Sequence, residues 1–222
     1  MSDPAPVLPE TLAQIRALPP GDRPLLICDV DEVVLQFIAH LEAHLETQGL
    51  RFLSHAYKLT GNIAPRDDDA PLAGDAVRCL LQTFFDGWVH RQDAVPGAAD
   101  ALDRLSRHAD IVFLTNLPGS WNRDARRAVL DRHGMPFPMV TNTGPKGGAV
   151  AALAARRPGP VVFIDDSPTN ITSARSALDA CVLVQFIADR RFFAAADAIE
   201  GVHLKTHDWA QAETYISKVL SA

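Results

Sequence analysis

Residues 25–34 read LLICDVDEVV: four apolar residues, then Asp29, Val30 and Asp31. Pro24 bounds the run on one side and the acids on the other. A short apolar run bounded in this way predicts a buried strand of a parallel sheet, with two carboxylates delivered at its C-terminal end. The pattern recurs twice. IVFL at 111–114 ends in Thr115-Asn116, and VVFI at 161–164 ends in Asp165-Asp166. Met139-Val140 and Val182–Val184 predict two further strands. Helices are expected between them over about 97–108, 121–133 and 147–156, with Gly134 stopping the second. Pro168 opens another, a favoured first-turn place for proline. Strands alternating with helices define the α/β class, here a doubly wound, Rossmann-like parallel sheet covered on both faces.

Residues 33–94 break that rhythm. Val34, Ile38, Leu41 and Leu45 form an apolar stripe stopped by Gly49, and Val77, Leu80, Leu81, Phe84, Phe85 and Trp88 form a second. Both predict helices that pack together. The 51–72 stretch is irregular, with a weakly signalled strand pair around Phe52–Leu59 and a solvated Asp67–Asp69 loop. The chain therefore divides into a proline-rich leader (1–24), a core (25–32 and 95–222) and a small, mainly helical insert (33–94). Leu12, Ile15 and Leu18 predict one short helix in the leader.

The 222 residues, 47% hydrophobic and 22% charged, suit a soluble globular chain with a sizeable core. A net charge of −6 leaves no basic footprint for nucleic acid. No apolar run approaches the roughly 18 residues needed to span a bilayer, and no secretory signal opens the chain. Three cysteines, Cys28, Cys79 and Cys181, form no C-x-x-C and argue against a disulfide framework. The expected location is cytoplasmic. A phosphatase thiolate at Cys28 would need an arginine six positions on, where Val34 stands, so Cys28 reads as a buried strand residue.

Ligands of open parallel sheets bind beyond the carboxyl ends of the strands. Asp29, Asp31, Thr115, Asp165 and Asp166 should meet there. Four carboxylates in one crevice call for a cation, and hard oxygen ligands suit Mg²⁺. Thr115 and Lys146 add a hydroxyl and an ammonium, which together describe a phosphoryl site. Each piece alone has an ordinary reading. Asp67 and Asp69 make another D-x-D, Lys146 fits a solvated loop, and Asp165-Asp166 suits a helix N-terminus. The GPKGG segment at 144–148 is not a P-loop. What carries the signal is the order of the pieces and their placement at strand ends and a helix start.

In that order, the chain resembles the haloacid dehalogenase-like (HAD) hydrolase superfamily. ICDVDEVV (27–34), IVFLTN (111–116), Lys146 and VFIDDSPTN (162–170) match its four motifs, and the insert falls where the family carries a cap over the site. The resemblance implies that Asp29 is a nucleophile forming an aspartyl-phosphate, and Asp31 the general acid–base. Thr115, Asn116 (through its backbone N–H) and Lys146 would bind the phosphoryl group. Asp29, the Asp31 carbonyl, Asp165 and Asp166 would hold Mg²⁺, and Asn170 would brace the loop. The dehalogenases lack an acid–base at the Asp31 position, because halide needs no proton, so Asp31 indicates phosphate transfer. The implied function is an Mg²⁺-dependent phosphatase acting on a small phosphorylated metabolite, with no nucleic-acid or membrane partner. A phosphomutase and a non-catalytic, receiver-like phosphoryl binder are the alternatives. Glu32 is expected to add negative charge beside the site, and Arg51, Tyr57, Lys58, Asn62, Arg66 and Arg91 are candidates to face substrate. His40 with His44, and His203 with His207, lack a third ligand for zinc.

Overall fold

A computed structural model of the chain describes residues 6–119 and 121–221, so residues 1–5 of the leader lie outside it. Six parallel strands form one sheet in the order β5-β4-β1-β6-β7-β8. They are β1 (Leu25–Cys28), β4 (Asp110–Asn116), β5 (Met139–Asn142), β6 (Val161–Asp165), β7 (Val182–Phe186) and β8 (Leu204–Thr206). The chain begins this sheet in the middle. β1 pairs with β4 through Cys28↔Phe113 and with β6 through Cys28↔Ile164. Successive strands then build outward in both directions, which opens a crevice above β1.

Alternation along the strands decides what each face buries. Leu26, Cys28, Ile111, Phe113, Val162 and Ile164 pack on one side with α4 (Ala98–Ser106) and α9 (Trp209–Leu220). Leu25, Ile27, Val112, Leu114, Val161 and Phe163 pack on the other with α1 (Pro9–Ala17), α6 (Gly147–Ala154) and α7 (Pro168–Ala177). Burial on both faces explains why these strands read as continuous apolar runs. The leader helix is part of this packing: Thr11 Oγ1 donates to the Thr141 carbonyl at 2.9 Å, against the edge strand β5. Cys28 and Cys181 are buried and Cys79 is exposed, and burial lifts the Cys28 thiol well above its ordinary value.

The insert carries its own apolar cluster, formed by Leu41 and Leu45 of α2 (Ile38–Thr47) with Val77, Phe84 and Phe85 of α3 (Gly74–Gly87). Three boundaries differ from expectation. Val34 is not helical: the chain makes a tight turn in which Val34 N and Leu35 N both donate to the Val30 carbonyl at 2.9 Å, and α2 begins only at Ile38. The strand pair is a hairpin of β2 (Leu50–Phe52) and β3 (Ile63–Pro65), and the residues between form its loop. The C-terminal region contains β8 as well as helices; Leu-Lys-Thr lacks the apolar run that marks the central strands because it lies at a sheet edge.

Candidate active site

The ends of β1, β4 and β6 bring Asp29, Thr115, Asp165 and Asp166 to the crevice, and the start of α6 brings Lys146. Lys146 Nζ lies 2.6 Å from Asp29 Oδ1 and 2.7 Å from Asp165 Oδ2, with only 1% of its side chain exposed. Gly147 makes this approach possible: a Cβ there would overlap the Ser173 carbonyl of α7, and its N–H donates to Ser173 Oγ at 3.0 Å. Burial disfavours charge on Lys146, but Asp165 and Asp29 together outweigh it and hold the ammonium above its ordinary value.

Ligand atoms of Asp29, Asp165 and Asp166 all lie within 4.8 Å of one another. Burial raises the Asp29 carboxyl, Lys146 opposes that rise and Asp165 adds to it. Desolvation, then the charges of Asp29 and Glu32, push Asp166 well above the ordinary range. Asp29 and Asp165 thus share one ammonium while Asp166 beside them has none, an arrangement that a hard divalent cation would fit. The acids differ in what they already hold. Asp165 accepts from Lys146, from Ser167 N at 2.9 Å and from Asn170 Nδ2 at 3.0 Å.

Thr115 is buried, and its Oγ1 has no hydrogen-bond partner among the described residues. A buried hydroxyl at a strand end without a partner leaves its donor and acceptor capacity unused by the fold. The Asn116 side chain is engaged instead: Nδ2 donates to the Gly144 carbonyl at 2.9 Å and Oδ1 accepts from Asn142. It therefore shapes the loop that precedes Lys146.

Asp31 follows the turn and takes partners that the sequence reading missed. Arg126 Nη2 lies 2.9 Å from both of its carboxylate oxygens, and Gln92 Nε2 donates to Oδ1 at 2.8 Å. Arg126 Nη1 donates to Gln92 Oε1 at 2.8 Å. Burial raises the Asp31 carboxyl above its ordinary value, against the pull of Arg126 and Gln92. One signal in the sequence pointed to Arg126: it shares a helical face with Val129 and Leu130 on α5 (Asn122–Arg132), where an apolar residue is expected.

Glu32 does act on the site, since its charge raises Asp166, but it is turned into the fold. It is buried, with φ of 63°. Its Oε2 accepts from Phe37 N and Ile38 N at the start of α2, and its Oε1 accepts from Asp189 N at 2.6 Å. The candidates in the insert also separate. Asn62 is buried and bonds Ser54, Ala56 and Lys58 of its own loop. Arg51 pairs with Asp69, Arg66 with Glu46, and Arg91 stacks on Trp88. Tyr57 and Lys58 line a cavity of about 330 Å³ that Asp166, Ser167, Phe37 and Phe192 also border. His40 meets Asp93, and His44 packs at a tilt against Trp88.

No known family model matches the chain, and no curated protein does. Solved structures do. A haloacid dehalogenase-like hydrolase from Burkholderia xenovorans aligns over 91% of this chain and 100% of its own, at 15% identity and a TM-score of 0.58. The HAD-hydrolase YfnB from Bacillus subtilis, bound to magnesium, aligns over 88% of this chain and 99% of its own, at 15% identity and a TM-score of 0.58. The D,D-heptose 1,7-bisphosphate phosphatase of B. bronchiseptica, complexed with magnesium and phosphate, aligns over 88% and 98% at 18% identity and a TM-score of 0.53. The chain has the fold of the haloacid dehalogenase-like hydrolases. No helix among the described residues is long and apolar enough to cross a membrane.

Proposed function

We propose that this protein is an Mg²⁺-dependent phosphatase that hydrolyses a small phosphate monoester through a phosphorylated Asp29. The observation that carries the reading is the Lys146–Asp29 ion pair, set among Asp165, Asp166 and the unpartnered hydroxyl of Thr115. The magnesium and phosphate of the B. bronchiseptica relative support the same chemistry.

Asp29 is the nucleophile. One of its oxygens bonds to phosphorus as the bond from phosphorus to the leaving oxygen breaks. Asp31 gives a proton to that leaving oxygen. It then takes one from the water whose oxygen attacks the phosphorus of the acyl phosphate, which frees inorganic phosphate and restores the Asp29 carboxylate. Lys146, Thr115 and the Asn116 N–H bind the phosphoryl oxygens. Asp29, Asp166 and the Asp31 carbonyl would hold Mg²⁺; the oxygens of Asp165 are already occupied, so it braces Lys146. Bound Mg²⁺ would offset the carboxylate repulsion and charge on the phosphoryl oxygens. The insert acts as a cap, and the cavity beside Asp166 takes the leaving group near Tyr57 and Lys58.

The test is phosphate release from a panel of small phosphate monoesters, with Mg²⁺ and with EDTA. Release that needs Mg²⁺ is expected. Equal release in EDTA, or none from any ester at millimolar Mg²⁺, contradicts the proposal.

A further inference from the structure

Arg126 is the most deeply buried arginine of the fold, with 0% of its side chain exposed, and it reaches neither Asp29 nor the triple of acids. It spends its guanidinium on two residues. Nη2 touches both oxygens of Asp31, and Nη1 holds the carboxamide oxygen of Gln92. Gln92 is itself fully buried and closes the triangle by donating to Asp31 Oδ1. Its backbone carbonyl is held from the end of α5 as well, by Arg132 Nη2 at 3.3 Å and by Nε2 of His133, the next residue, at 2.9 Å. Two buried groups thus fix one carboxylate that is 15% exposed. Oδ1 accepts two donors and Oδ2 only one, so Oδ2 keeps an open lone pair.

A lone surface carboxylate turns about χ1 and χ2 freely. A proton donor must instead point at the leaving oxygen when the phosphorus bond breaks, and a misplacement near 1 Å can cost about 10²-fold in rate. Burying an arginine is costly without good partners, and a polar group buried for packing alone would not converge on an acid at the crevice. We propose that Arg126 and Gln92 are positioning residues for Asp31: they fix the direction of its carboxylate, so that Oδ2 faces the leaving oxygen. The inference rests on the acid–base role given to Asp31 above.

The experiment compares two aryl esters, phenyl phosphate and p-nitrophenyl phosphate, with Mg²⁺. The nitrophenolate departs without a proton and the phenolate benefits from one, and kcat/KM reports the steps up to that departure. Arg126→Met and Gln92→Leu are each expected to lose about 10²-fold in kcat/KM on phenyl phosphate and much less on p-nitrophenyl phosphate. Arg126→Lys should recover part of the loss. A crystal structure of metal-free Arg126→Met should show Asp31 in more than one rotamer. An equal loss on both esters, or no loss, overturns the positioning role, as does an Asp31 side chain that stays in place. Asp31→Asn, measured beside them, separates the two claims. If it discriminates between the esters and Arg126→Met does not, only the positioning role fails. If Asp31→Asn does not discriminate, or the wild type hydrolyses neither ester, the acid role fails and the positioning role falls with it.

Discussion

Thr115 and Glu32 show how differently two buried polar residues serve one crevice. Thr115 Oγ1 has no partner among the described residues, so folding gains nothing from the hydroxyl. Replacing it by an isosteric methyl, Thr115→Val, is expected to leave the denaturant midpoint unchanged or higher. The same change should lower kcat by about 10²-fold, the scale of losing one donor to a developing oxyanion. A large loss of stability with unchanged kcat would show that the hydroxyl is structural. At this scale the sequence was informative where a residue ends an apolar strand. Asp29, Thr115, Asp165 and Asp166 are placed by strand register, and register follows from the apolar run. Arg126 left one signal, its place on the apolar face of α5, but the pairing of Arg126 and Gln92 with Asp31 was not legible, because those contacts lie 95 and 61 residues away along the chain.

Glu32 works between elements. One of its oxygens accepts from the first N–H groups of α2, and the other from the N–H of Asp189, after β7. A free N-terminus leaves N–H groups without intrahelical partners, and a carboxylate there also meets the favourable end of the helix dipole. The carboxyl is nonetheless buried. Burial pushes the Glu32 carboxyl up to about 7, against those backbone donors. The folded chain therefore holds a proton that the unfolded chain releases near 4.5. The stabilisation from that proton is complete below the unfolded value and is lost as pH rises through about 7. Urea midpoints measured in EDTA should fall between pH 5 and 8, and Glu32→Gln should make the fall shallower. An unchanged slope in the variant would place the proton elsewhere. Sequence alone put the charge of Glu32 beside the site but did not show its burial, because the left-handed turn that tucks it inward has no signature in a Glu-Val-Val run. The hairpin of β2 and β3 was equally hard to place, since its strands are only three residues each.

The whole molecule joins a sheet that opens at β1 to an insert with its own apolar cluster. In the sequence the β–α rhythm stops at Val33 and resumes near Val95, and helical stripes fill the interval. What could not be read is how the two parts meet. Glu32 and Gln92 stand at the two passages into and out of the insert, and each bonds a residue outside it: Glu32 the N–H of Asp189 after β7, and Gln92 the guanidinium of Arg126 on α5. The cavity between the insert and the Asp166 loop follows from that meeting and not from any motif.

In the proposed reaction Asp29 is the group that becomes phosphorylated, and phosphate release from Asp29→Asn beside the wild type, on the best ester of the panel with Mg²⁺, decides it. The amide keeps the volume of the side chain and removes one of three crowded carboxylates, so the variant should melt no lower than the wild type. Its phosphate release is expected to vanish. A folded Asp29→Asn protein that still released phosphate at the wild-type rate would contradict the claim.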